Sequence, residues 1–367
     1  DDDDAYFVTV DAPNGSATAL NSTARVFNKH YQQIATIPVT TPWATAGCPV
    51  VTLGHRVSVA GTGANTIITV CPRINNGGTA PLGDRAFHYT RSGPDGTAYS
   101  ELSKSSDNAR QFVHGKHFSV NSSNGQVYYR TGTTFTAKNN IGACLEVYAY
   151  NNTLIAVKLG SSGYDLCYYY WRIGPNELEL IATRNFPDRV RHPVTNEGLI
   201  AVIDNYKQVQ VYHMYQGGID DYRDLTYPSN ANAIAIHTDI LAVVYDEELV
   251  CYELYSDSSG AIPDPLNICA SIALSDTIHD LTNFETFDMR LRSLEDNTPN
   301  DYYDIVLGYR NTSQVYRFGL RRKDPIPSKI YYDDYYNRYL CNAYGFEVEG
   351  ELWATRLVTG GDANINS

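Results

Sequence analysis

The chain is poor in the residues that would suggest a helical, membrane or nucleic-acid-binding protein. It has two Met and three Trp, and no apolar stretch approaches the roughly 20 residues that a spanning helix needs. Runs of Ala, Leu, Glu and Lys at helical period are nearly absent, which argues against a bundle. Basic residues are few: 28 Lys+Arg stand against 41 Asp+Glu, for a net charge of −13. Nucleic acid and anionic membranes need a basic face, so neither is expected as a partner. Motifs of common chemistries are missing as well. "LGSSGY" (Leu159–Tyr164) lacks the spacing of a nucleophile elbow. "AGTGANT" (Ala60–Thr66) opens a strand and not a helix, so it is no phosphate cradle, and there is no H-E-x-x-H.

Tyrosine is abundant, with 30 residues against 11 Phe. Together with Val and Thr it favours pleated, half-buried surfaces. The stretch "LIAVKLGSSGYDLCYYYW" (Leu154–Trp171) is an apolar run, a Gly/Ser turn and an aromatic run, and "LIAVIDNYKQVQVYHMY" (Leu199–Tyr215) repeats its shape. Further copies read "HRVSVAGTGANTIITVC" (His55–Cys71), "HFSVNSSNGQVYYR" (His117–Arg130), "ILAVVYDEELVCYELY" (Ile240–Tyr255) and "DIVLGYRNTSQVYRFGL" (Asp304–Leu320). The pair Asn124-Gly125 is the strongest hairpin signal among them. A seventh copy is expected at "FEVEGELWATRLV" (Phe346–Val358). In each copy the first strand is apolar on both faces and the second alternates.

Strand-only repeats roughly 40 to 60 residues apart resemble the blades of a β-propeller. The resemblance is one of pattern, with no WD dipeptide in register and no kelch double glycine. It implies an all-β fold: a single propeller of about seven blades, with the doubly apolar strand innermost. Six or eight blades are also compatible with the long intervals at 58–118 and 243–306, and tandem β-sandwiches are the alternative architecture. The expected organisation is an acidic arm and strand over 1–25, the propeller over 26–358 and a tail over 359–367. The chain opens "DDDDAYFVTVDAP" with neither Met nor an apolar leader, as in a processed chain. The strand Tyr6–Val10 is expected to close the ring or to add to a neighbouring subunit.

Cysteine and sequon patterns point to an extracellular glycoprotein. Cys48 and Cys71 are 23 residues apart, as are Cys144 and Cys167, so disulfides 48–71 and 144–167 are predicted, with 251–269 as a third and Cys341 left over. Sequons place candidate N-linked glycans at Asn14, Asn21, Asn121, Asn151 and Asn311. His114 and His117 lie three apart in a strand-like segment and should face opposite ways, which disfavours a metal pair. The acid-rich loop Leu294–Asp304 offers Asp296, Asp301 and Asp304 as oxygen ligands for Ca²⁺. The aromatic tract Tyr168–Trp171 reads as packing. "YYDDYYNRY" reads as an interaction patch built from Tyr331, Tyr332, Tyr335, Tyr336 and Arg338, with Tyr6, Phe7 and Val8 as a second one. The resulting expectation is a secreted, non-enzymatic structural or adhesive propeller that acts through protein contacts and self-association, as in an extracellular filament or coat. A sugar-binding propeller is the runner-up, and a propeller glycoside hydrolase with converging acids stands behind it.

Overall fold

The computed structural model describes residues 7–10, 14–15, 19–28, 32–42, 51–75, 85–92, 98–109, 111–215, 218–225, 227–237, 240–254, 266–274, 287–293, 302–309, 314–322, 330–333, 338–341 and 350–358. They form seven four-stranded antiparallel sheets in chain order and one separate hairpin. In blade 1, Phe7–Val10 and Asn14–Gly15 both pair along Ala19–Phe27, which pairs in turn with Gln33–Pro42. Blade 2 runs Val51–Ala60, Ile67–Asn75, Arg85–Ser92 and Ala98–Asn108. Blade 3 runs Phe112–His114, Phe118–Asn121, Gln126–Thr131 and Thr134–Asn140. Blade 4 contains Glu146–Tyr150, Thr153–Gly160, Gly163–Arg172 and Glu177–Phe186. Blade 5 contains Arg191–Thr195, Leu199–Ile203, Val209–Tyr215 and Gly218–Leu225. Blade 6 contains Ala231–His237, Ile240–Tyr245, Glu248–Glu253 and Asn267–Ala273. Blade 7 contains Phe287–Ser293, Tyr302–Tyr309, Gln314–Arg322 and Gly350–Val358.

The packing accounts for the apolar strands. Along Thr153–Gly160, Leu154 and Ala156 enter a core shared with blade 3, where Phe118, Val120 and Val127 meet them. Their neighbours Ile155 and Val157 enter the core shared with blade 5, against Ile200 and Val202. Alternate side chains point to opposite faces of a strand, so a strand between two interblade cores must be apolar throughout. Leu241 and Val243 of blade 6 likewise face blade 5, while Ala242 and Val244 face blade 7. Among the described residues six such cores join blades 1 to 7 in succession. The doubly apolar strand is therefore the second of each blade, not the innermost. The first strand lies beyond it at the sheet edge, partly covered at Tyr148–Tyr150 in blade 4 and largely buried in Ala231–His237 of blade 6. The outer strand alternates and is largely exposed in Thr134–Asn140 and Glu177–Phe186. Trp171 anchors the blade 3–4 core, stacked on Phe118 at 5.6 Å and on Tyr129 at 5.9 Å between ring centres.

Seven blades emerge, though not from the seven expected copies. Gly350–Val358 is the outer strand of blade 7, paired with Gln314–Arg322, and not a blade of its own. The uncounted blade is the first: the expected boundary at 25/26 falls inside Ala19–Phe27. Both terminal strands stay within their own blades. Phe7 pairs with Phe27 and Val10 with Ala24, so Phe7–Val10 is held along Ala19–Phe27 within blade 1. Val8 packs, half-buried, on the blade 1–2 core.

Candidate functional site

In blades 3 to 5 the turns between first and second strands meet at one end, beside the end of the first strand of blade 6. Blade 3 turns through Gly115–His117, with Gly115 N–H donating to Phe118 C=O at 2.9 Å. Arg130 Nη2 reaches over from the third strand and donates to the carbonyls of Gly115 (3.1 Å) and Lys116 (2.8 Å). Lys116 N–H donates to Asn151 C=O at 2.6 Å, which ties the turn of blade 3 to that of blade 4. Asn152 N–H donates to Glu197 Oε1 at 3.1 Å, which ties blade 4 to blade 5. Tyr150 and His237 approach edge-to-face at 6.4 Å, so blade 6 joins the same cluster. Asn151 (φ +46°) and Glu197 (φ +76°) hold left-handed turn conformations, which Asn tolerates better than Glu.

The electrostatics of this end are mixed in sign. Burial lowers the His117 pKa, and the Lys116 and Arg130 charges lower it further. Burial and the nearby Glu197 raise that of Tyr150. Arg130 Nε and Asn152 Oδ1 are buried and make no hydrogen bond among the described residues. Lys116, Asn151 and Glu197 are exposed, so the cluster offers donors, an acceptor carboxylate and an aromatic edge to solvent. Sequence reading singled out only His117 and Asn151 here; the one available signal for the rest was their shared turn position in successive repeats.

His114 and His117 do part company, as expected. His114 points into the blade 2–3 core, where His88 Nδ1, Thr69 Oγ1, His114 and Ser119 Oγ form a chain with contacts of 2.9, 2.8 and 2.7 Å. Phe112 and Phe135 enclose it, their ring centres 4.7 and 4.9 Å from His88. Burial lowers His88 to about 4 and holds His114 well below the usual range. The His114–Ser119 contact has the form of a base and nucleophile, yet Ser119 is fully buried and no substrate could reach it. Two part-buried polar links tie blade 4 to blade 5 and to the connection that leads into it. Arg189 pairs with Glu146 at 2.9 Å, and His192 N–H donates to the same carboxylate at 2.8 Å.

The cysteines need correction. Cys144, Cys167 and Cys251 are buried thiols, so neither the 144–167 nor the 251–269 bond is formed. The fold does bring each pair together: Cys269 Sγ donates to Cys251 C=O at 3.4 Å, and Cys144 and Cys167 share the blade 3–4 core. Burial pushes the Cys144 thiol up to about 11 and that of Cys251 well up, which suppresses the thiolate that exchange requires. Lys158 Nζ donates to Tyr169 Oη at 2.5 Å and to Ile141 C=O beside them. Cys71 is buried in the blade 2–3 core, and its expected partner Cys48 lies outside the described residues.

The other expected positions scatter. Asn121 is fully buried, its Oδ1 accepting from Ser123 N–H at 3.0 Å, so it does not present an amide for glycosylation. Asn14 and Asn21 sit opposite each other in blade 1, and Asn311 is outside the described residues. Asp304 belongs to a strand of blade 7, where it pairs with Arg292 and Gly319; Asp296 and Asp301 are outside the described residues. No group of three or more His, Cys, Asp or Glu among the described residues is placed to hold a metal ion. Tyr168, Tyr169 and Trp171 are core residues. Tyr331, Tyr332 and Arg338 lie on the separate hairpin Ile330–Asp333/Arg338–Cys341, with Tyr332 opposite Tyr339 and Asp333 opposite Arg338. Tyr6, Tyr335 and Tyr336 lie outside the described residues. No helix among the described residues is long and apolar enough to cross a membrane.

No protein-family model matches the chain, and no curated protein matches it in sequence. Among solved structures, the crystal structure of Kluyvelomyces marxianus Hsv2, a β-propeller, superimposes with a TM-score of 0.51. The match covers 93% of this chain and 95% of that one at 12% identity. Likeness at that identity speaks for the fold alone, and with the seven successive four-stranded sheets it makes this chain a β-propeller.

Proposed function

We propose that this propeller is an extracellular, N-glycosylated structural or adhesive unit that works through protein–protein contacts, its own copies included, as a subunit of a filament or coat. The observation that carries the reading is the hairpin Ile330–Asp333/Arg338–Cys341. It interrupts blade 7 between third and outer strands and, among the described residues, joins no blade sheet. A two-stranded hairpin is marginal in water by itself and gains stability by packing on something else. Its tract "YYDDYYNRY" combines Tyr and Arg with no Lys, the composition of contact cores. The acidic net charge suits a solvated exterior and keeps nucleic acid off it.

The test replaces residues 328–343 by a short Gly/Ser linker in protein secreted from a eukaryotic cell. Light scattering and negative-stain microscopy then compare it with the full chain. The full chain should form large assemblies and the variant should remain a particle of 40.9 kDa plus glycan. A monomeric full chain, or assemblies indifferent to the replacement, would sink the proposal.

A further inference from the structure

We infer that Asn151 carries an N-linked glycan and that Asn121 does not, an assignment resting on the extracellular reading above. Five sequons are indistinguishable as triplets, but the fold separates these two. Asn151 is exposed at the tip of a two-residue turn, flanked by the register pair Tyr150 and Thr153. Thr153 Oγ1 donates to Tyr150 C=O at 2.8 Å and Lys116 N–H occupies the Asn151 carbonyl, so the turn is pinned from both sides. None of these bonds uses the Asn151 side-chain amide, and no other described residue bonds to it. The φ of +46° is one that Asn adopts readily and that a glycosylated Asn can keep.

At Asn121 the reverse holds. The residue is fully buried next to the blade 3–4 core, its Oδ1 shapes the Ser122–Gly125 turn, and its carbonyl accepts from Gly125 N–H at 2.9 Å. A sugar there has nowhere to go once blade 3 packs against its neighbours, because interblade cores are close-packed. A chain glycosylated at Asn121 could not form this blade.

The chemistry needs an activated donor, an oligosaccharide on a polyprenyl diphosphate. The Asn151 amide nitrogen attacks the anomeric carbon and the N–C bond forms as the C–O bond to the diphosphate breaks. The polyprenyl diphosphate leaves with the electron pair and the amide gives up one proton. The attached sugar then lies over the turns of blades 3 to 5, between exposed Lys116 and Glu197, and screens that end from protein contacts.

The experiment secretes the full chain from a eukaryotic cell and treats it with peptide N-glycosidase in heavy-oxygen water before peptide mass spectrometry. Heavy-oxygen Asp is expected at position 151 and unmodified Asn at 121. Asn151→Asp, which keeps the left-handed turn, should lose the mass of one glycan. Ser123→Ala, which abolishes the other sequon but leaves Asn121 in place, should leave the glycan mass unchanged. Unmodified Asn151 alongside an occupied Asn14, Asn21 or Asn311 overturns the assignment alone, as does a glycan on Asn121 in folded protein. Folded protein with no glycan at any sequon overturns the extracellular reading and this assignment with it.

Discussion

Acid should loosen this propeller at the junction of blades 2 and 3 as pH falls below 6.5. The folded chain holds His88 at about 4, against an ordinary value of 6.5, because the ring is buried. Between those values the unfolded chain binds more protons, so the stability from the neutral ring is fully present above pH 6.5 and is lost as pH falls toward 4. The interval of 2.5 units corresponds to about 3.4 kcal/mol, of which about 2 kcal/mol is gone by pH 5. His114 pushes in the same direction, since burial, His88 and Arg130 all disfavour its charged form. Thr69 Oγ1 has one hydrogen and donates to only one of the two rings, so protonating that ring would set two donors against each other in a core closed by Phe112 and Phe135. The assay is urea unfolding followed by Tyr and Trp fluorescence at pH 7.5 and pH 5 for the parent chain and for His88→Leu. The parent midpoint should fall at pH 5, and the variant, weaker at pH 7.5 for want of the Thr69 bond, should lose distinctly less on acidification. A midpoint independent of pH, or an equal acid loss in His88→Leu, would refute the reasoning.

Two further outcomes follow from the same structure. Gly125→Ala should cost more than about 2 kcal/mol, because at φ +73° a Cβ would stand 2.1 Å from the Gly142 carbonyl oxygen. Gly63→Ala, with φ +57° and open space around it, should cost only the left-handed penalty of about 1 kcal/mol; equal losses in thermal melts would contradict the packing argument. In native protein at pH 8, Cys144, Cys167 and Cys251 should resist a disulfide-exchange reagent: burial raises all three thiols, and Cys144, at about 11, is ionised in only about one molecule in a thousand. They should react once urea exposes them without reductant, and silence after unfolding would mean that the bonds exist after all.

Much of the fold is legible in local pattern. Leu154–Val157, Leu199–Ile203 and Ile240–Tyr245 are apolar at every position because each lies between two interblade cores, and a strand period of two writes that directly into sequence. The same pattern cannot say which strand of a blade it marks, and the innermost assignment failed for that reason: in the sheet order the first strand lies beyond it, at the edge. Blade 1 escaped notice because its inner edge is broken into Phe7–Val10 and Asn14–Gly15. Gly350–Val358 passed for a blade because an outer strand alternates as well as any other.

What the sequence by itself determined is the class of local structure: strands, hairpin turns such as that at Asn124-Gly125, the repeat, and a net charge of −13. Those depend on neighbours within a few residues, where propensity and periodicity act. Only the tertiary structure decided which residues meet. Lys116, Asn151, Glu197 and His237 are dozens of residues apart and converge because equivalent turns of successive blades end at one place. Equal spacing suggested bonds between Cys144 and Cys167, and burial left them as thiols. Asn121 and Asn151 carry the same motif, and only packing separates a sealed side chain from an exposed one, because burial is a property of the assembled blades.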